Sequence, residues 1–268
     1  MSVVPVIAIH VFKDSVRDKV LYNLVFFAIL LIAASYLIAQ LTAGQDVKII
    51  KDFGLSATAV FGLFIAVFIG IGLVSKEVER RSIYNLLSKP VRRHELILGK
   101  YAGLVLTLAV NVAVMAAALY LILGYMSWIE TEEFKAGWDA PATDPAMLKA
   151  IVLIFVQLAL ITGIALFFST FSSPLLSAML TFGLFVVGHF NEDLKHFDTV
   201  VDSVMAGHVA RVFYYLLPNL ASFDVKADVV HGQPVPWTYL LLTTSYAAAY
   251  IGALLLGAIH IFSRRDFK

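Results

Sequence analysis

The sequence predicts an all-α membrane protein that crosses the bilayer several times, and three observations predict it. Sixty per cent of the 268 residues are apolar and 15% are charged, with a mean hydropathy of +0.86. Six long runs, at about 20–41, 55–74, 101–126, 150–171, 174–190 and 237–262, carry almost no charge, and ~20 such residues take a helix across the hydrocarbon core. The runs do not alternate polar and apolar over ~10 residues as barrel strands do, so helices remain to satisfy their backbone in lipid. We therefore expect residues 1–268 to form a single transmembrane domain.

The elements follow in order. "PVIAIHVFKDSVRDKVLYN" reads as an amphipathic elbow helix at about 5–19, with Ile9, Phe12, Val16 and Val20 along one face; such a helix lies in the interface and turns into the first span. A plain polar tail is the alternative. Lys13, Asp14, Arg17, Asp18 and Lys19 precede the first long run, an order that fits a signal anchor better than a removed leader. In the second run Gly62 and Gly70, and in the last Ala253 and Gly257, permit close helix approach, within the chain or between chains. Asn111 and Gln157 are polar groups inside spans, placed to line a pathway or to bond neighbouring helices. Gln40, Thr162 and Thr181 are similar. The fifth run is the shortest. Pro174 limits its start, and a re-entrant segment is the alternative there.

Segment 191–236 follows, with Leu194, Phe197, Val201 and Val204 on one face, and reads as interfacial or re-entrant helix. His189, His196, His208 and His231 lie in or beside it, but no pair has the i,i+3 or i,i+4 spacing of a helical metal site. We expect no metal. With no cysteine, disulfides and thiolate chemistry are excluded. No run holds a central Asp, Glu, Lys or Arg, which argues against a proton- or sodium-coupled transporter and against a voltage sensor. No nucleophile elbow or zinc-protease helix occurs, so no catalytic role is expected.

Charge sets an orientation. With both termini inside, the inner segments (1–19, 75–100, 172–173 and 263–268) hold 13 of the 20 Lys+Arg and 6 of the 19 Asp+Glu. That makes the inside +7 and the outside −6, and basic residues collect on the cytoplasmic side. Trp128, Trp237 and Tyr239 then fall at the outer interface, where amphipathic rings belong.

The densest charge is "KEVERRSIYNLLSKPVRRHELILGK", Lys76 to Lys100. Lys76, Glu77, Glu79, Arg80 and Arg81 follow the second span. Ile83, Leu86 and Leu87 share one helical face, Ser88 and Lys89 lead out, and Pro90 ends the helix. Arg92, Arg93, His94 and Glu95 open the third span. Such a segment is a short amphipathic helix whose apolar knob must be covered by lipid, by the bundle or by a partner.

This stretch resembles the signature connection of ABC type-2 permeases, the membrane subunits of ATP-driven exporters. Glu77, Glu79, Ser82, Ile83, Leu86, Leu87, Ser88, Pro90, Val91, Arg93, Gly99 and Lys100 match its acidic helix end, its Leu-Leu-Ser-x-Pro-Val run, its Arg and its Gly-Lys. Arg81 and Ser82 replace the commoner Gly and Thr. The segment "YYLLPNLASFDVKADVVHG" and the tail "FSRRDFK" are also similar to that family, and the likeness extends over the whole chain. The subgroup nearest in character is related to permeases found beside multicopper-enzyme maturation genes.

The resemblance implies that residues 81–89 form a coupling helix docking into a separate ABC ATPase subunit, with Glu77, Glu79, Arg80, Arg81, Ser82, Ile83, Leu86, Leu87, Ser88, Pro90 and Arg93 as the coupling residues. It implies two ATPase copies, a second permease copy or a paralogue, and the bacterial inner membrane as location. An outer-facing accessory protein is compatible with the large segment 191–236, and nucleic acid is not expected as a partner. ATP and Mg would be bound by the partner, since Gly99-Lys100 has His94 where a phosphate loop needs its first glycine and Tyr101 where it needs a hydroxyl. Two other classes stay open: an ATP-independent channel or transporter, with this connection as an interfacial anchor, and a mechanotransmitting subunit that regulates an outer-facing partner.

Overall fold

The computed structural model describes residues 3–41, 45–79, 92–138, 140–191 and 211–264, the stretch 72–79 as backbone. Among them the elements are helical throughout: α1 (Val4–Val16), α2 (Lys19–Ala39), α3 (Asp46–Glu79), α4 (Arg93–Ile129), α5 (Glu132–Lys135), α6 (Ala146–Ser169), α7 (Pro174–His189), a helical stretch 211–216, a 3-10 turn (Ala221–Phe223), α8 (Lys226–Val230) and α9 (Trp237–Arg264). The protein is an all-α polytopic membrane protein. Five helices, α2, α3, α4, α6 and α9, are long and apolar enough to cross a membrane.

Helix ends follow local chemistry. Pro5 sits in the first turn of α1, where a missing N–H costs nothing. The chain turns at Arg17–Asp18, and the Asp18 carboxylate accepts from the backbone N–H of Val20 at 3.0 Å to cap α2. α4 opens on a one-sided cap, with the Arg92 backbone N–H donating to Glu95 Oε2 at 3.1 Å. The α3 and α4 helices run well past the apolar runs expected for them, starting at Asp46 and Arg93 rather than at 55 and 101. A 37-residue helix such as α4 is ~55 Å long at 1.5 Å per residue, so its first turns stand outside the hydrocarbon and can hold charge.

α6 is the axis of the bundle. Its most apolar window is 78% buried, against 22% for α2 and for α9, and α3, α4, α7 and α9 all pack on it. Glycines let α3 approach its neighbours: Gly62 faces Leu158 and Gly70 faces Ala165 on α6, while Gly54 faces Leu119 on α4. These close approaches lie within one chain. On α9, Gly257 meets Phe167 of α6, whereas Ala253 is exposed.

α1 lies against α4, with Gly99 under Ile7 and Gly103 under Ala8 and Val11. The face expected to be apolar is not the one that packs. Val11 and Ser15 are buried and Ile9 is 51% exposed, because a glycine pair accepts a helix through its small side chains and backbone. Ile9 and Val20 are left exposed.

α1 and the last described turn of α9 lie at one end of the bundle. α1 packs on the first turns of α4, and Arg93 in the first turn of α4 donates to the last carbonyls of α9. Five long helices would leave the termini at opposite ends, so α7 must carry the chain across as well. Its 16 residues span only ~24 Å, short of the ~30 Å core.

Candidate functional site

The end carrying both termini is built around the start of α4. Arg93 Nη1 donates to Ser263 O at 2.8 Å and to Phe262 O at 3.1 Å, two carbonyls of the last described turn of α9. One turn further, Ile97 is 1% exposed, and Gly99 and Gly103 seat α1. Lys100 between them is 3% exposed. The elbow, the start of α4 and the end of α9 thus meet directly beside the connection 80–91. Of the coupling residues inferred from sequence, Glu77 and Glu79 fall within α3, and Arg93 is placed as described. Arg80, Arg81, Ser82, Ile83, Leu86, Leu87, Ser88 and Pro90 lie outside the described residues.

A second polar cluster stands deep in the bundle. Gln157, in the middle of α6 and 6% exposed, directs its amide nitrogen to Leu220 O and to His189 Nε2, both at 3.2 Å. His189 Nδ1 lies 2.9 Å from Phe185 O. An amide N–H pointing at Nε2 makes that nitrogen the acceptor and leaves Nδ1 to carry the proton toward Phe185. Leu220 N in turn donates to Gly188 O at 2.9 Å, and a methyl group at Gly188 would press on Pro218 O and Leu220 at 2.9 Å.

So α7 stops level with the middle of α6, and segment 216–223 dips in from the far end to meet it. Non-helical backbone at that depth must be satisfied by protein. Three tyrosines on one face of α9 do this: Tyr239 Oη donates to Ser222 O at 2.6 Å, Tyr246 Oη accepts from Asn219 N at 3.0 Å, and Tyr250 Oη donates to Leu216 O. Asn111 bonds within its own helix. Its amide donates to Thr107 O one turn back on α4 at 2.9 Å. Thr162 and Thr181 likewise bond Leu158 O and Ser177 O of their own helices.

The far end is pinned by two lysines. Lys51 on α3, 1% exposed, donates to Pro141 O at 2.8 Å. Lys149 on α6 donates to Val235 O at 2.6 Å and sits 4.7 Å over the Trp237 ring, a cation–π contact. Among the described residues no group of three or more His, Cys, Asp or Glu could hold a metal ion; His189 is engaged by Gln157, and His196 and His208 lie outside the described residues. Sequence reasoning missed Leu220, the tyrosine series and both lysine pins. The one signal available was the spacing of Tyr239, Tyr246 and Tyr250, which puts all three on one helical face.

A bundle of long apolar helices preceded by a short helix, with a charged connection between its second and third long helices, defines a multi-pass membrane domain. The chain belongs to the ABC-2 transporter family: the model described as "ABC-2 family transporter protein" matches residues 6–192, well over half of the chain. A search of curated proteins finds no match. The protein is a transmembrane permease of an ABC transporter, and its family is one of membrane subunits, generally non-catalytic.

Proposed function

We propose that this chain is the membrane subunit of an ABC exporter in the bacterial inner membrane, with both termini cytoplasmic. It pairs with a second copy or a paralogue and is driven by two copies of a separate ABC ATPase, which bind ATP and Mg. Residues 81–89 are the coupling segment. Ile83, Leu86 and Leu87 fill a pocket of the ATPase while Glu77, Glu79, Arg80, Arg81 and Arg93 set its register, since buried apolar anchors carry affinity and rim charges carry orientation.

One observation carries this proposal: the connection 80–91 joins α3 and α4 at the end of the bundle where both termini lie, and basic residues collect in those same segments. Closure of the ATPases would move this end and tilt helices packed as rigid bodies. Asn111 and Gln157 are engaged by Thr107 O and Leu220 O, and the substrate path in this reading lies between two copies.

The test is affinity purification of the tagged protein from its native membrane. A stoichiometric ATPase subunit should accompany it, and Leu86→Asp should abolish that association while the bundle stays folded. A protein that arrives alone in mild detergent and in nanodiscs would instead support an ATP-independent channel.

A further inference from the structure

We propose that the far end of the bundle carries a binding site for one phosphate group, built on Lys51 and Trp138 and independent of the exporter reading. A half-open cleft of about 240 Å³ lies there. It is lined by Gln45, Lys48 and Lys51 around the start of α3, by Trp138 and Ala140 between α5 and α6, and by Val230 of α8. That volume exceeds the ~30 Å³ share of one water and falls below the ~300 Å³ at which sites for drug-sized ligands begin. Its chemistry is one-sided. Among the described lining residues none is acidic, and a lysine or an indole can only donate.

Two buried groups there call for an acceptor. Lys51 is 1% exposed, and Pro141 O at 2.8 Å takes one hydrogen of its ammonium. A cation so buried is costly unless it is paired and its remaining hydrogens are bonded. Asp144 acts on it electrostatically, but Asp144 Oδ1 also accepts from the Ala146 N–H at 2.8 Å. The second group is the Trp138 Nε1–H, which is buried and has no acceptor among the described residues. Leaving such a donor unbonded costs its full desolvation, and orphans of this kind in native folds mark a place for water or an ion.

One charged acceptor answers both needs, since it neutralises Lys51 and takes the indole hydrogen. Phosphate suits the place because it offers several oxygens around one centre to donors converging from α3 and from the α5–α6 connection, and lysine binds it as a point charge. Lys48 stands at the same cleft and is already engaged, so the site does not depend on it. Lys51 comes just before the apolar run that begins at Leu55, where headgroups lie. A phospholipid headgroup and free phosphate therefore bring the same chemistry.

The test takes the purified full chain in maltoside detergent, which has no phosphate, and adds inorganic phosphate. A saturable rise in melting temperature should follow, and sodium chloride at the same ionic strength should not give it. Trp138→Phe keeps the bond from Lys51 to Pro141 and removes only the indole donor. It should raise the half-saturating concentration at least about tenfold, the worth of one hydrogen bond to a charged acceptor. Lys51→Met should abolish the response. The measurement is then repeated in phosphatidylcholine nanodiscs. A rise that persists there assigns the site to free phosphate. A rise lost there, with a shift in the Trp138 fluorescence between detergent and nanodisc, assigns it to a headgroup. Either supports the proposal. It is overturned by the absence of a saturable rise in detergent, or by equal half-saturation with and without Trp138. It is also overturned if the rise appears only in Asp139→Asn, because the chain's own carboxylate would then fill the cleft; Asp139 lies outside the described residues.

Discussion

Among the described residues five glycines of α3 and α4 face another helix, and the atom each one faces decides what a methyl group there would do. Gly62 looks onto the end of the Leu158 side chain, which can rotate away. Gly70 looks onto Ala165 Cβ at 2.6 Å and Gly103 onto Ala8 O at 2.6 Å, atoms that move only with their backbones. Replacing helical Gly by Ala gains up to ~1 kcal/mol in propensity, whereas overpacking a tight contact costs ~1–3 kcal/mol. Gly62→Ala should therefore change thermal stability in detergent little, and Gly70→Ala should lower it clearly. Equal melting temperatures for the two would mean that α3 and α6 are not packed as described. The same contrast shows what a sequence can and cannot reveal about a residue. Gly62 and Gly70 announce close approach by their type, but their partner, and whether it belongs to the same chain, is a fact of the fold. Gln157 announces a polar need in lipid, while its acceptor Leu220 lies 63 positions away and carries no side-chain signal at all, being a backbone carbonyl.

At the scale of elements, the long apolar runs made α2, α3, α4, α6 and α9 legible, since ~20 uncharged residues have one use in a bilayer. Their ends were less so, because α3 and α4 continue as helices beyond the hydrocarbon, where hydropathy no longer reports them. Re-entry was one of two readings of 191–236, but its depth at 216–223 was hidden for a different reason. Its depth is set by three hydroxyls of α9 that hold its backbone, and a tyrosine on a membrane helix reads equally well as an interfacial anchor. Replacing Tyr239, Tyr246 and Tyr250 together by Phe keeps the apolar rings of α9 and removes those bonds. At ~1 kcal/mol for each hydrogen bond, amide exchange in 216–223 should accelerate about 100-fold while exchange in α6 stays unchanged. Unaltered exchange in 216–223 would show that apolar packing alone holds the segment.

At the scale of the whole molecule, the short helix α7 decides the topology. If its 16 residues and the re-entry beside them make up one crossing, the chain crosses six times and both termini share a side. If α7 turned back instead, the tail would emerge opposite to α1, and the Arg93 bonds to Phe262 O and Ser263 O could not form. Basic residues gather in the segments nearest the termini, so that shared side should be the cytoplasm. Single cysteines at Lys13, Glu133, Gln233 and Arg264, all exposed, test this in a chain with none of its own. A membrane-impermeant thiol reagent applied to the outer face of the inner membrane should label positions 133 and 233 and spare 13 and 264 until the membrane is opened. Labelling of 264 but not 13 would turn α7 into a hairpin and remove the junction at the start of α4. Labelling of 13 and 264 together would keep the fold and invert it, leaving the connection 80–91 where no ATPase could reach it.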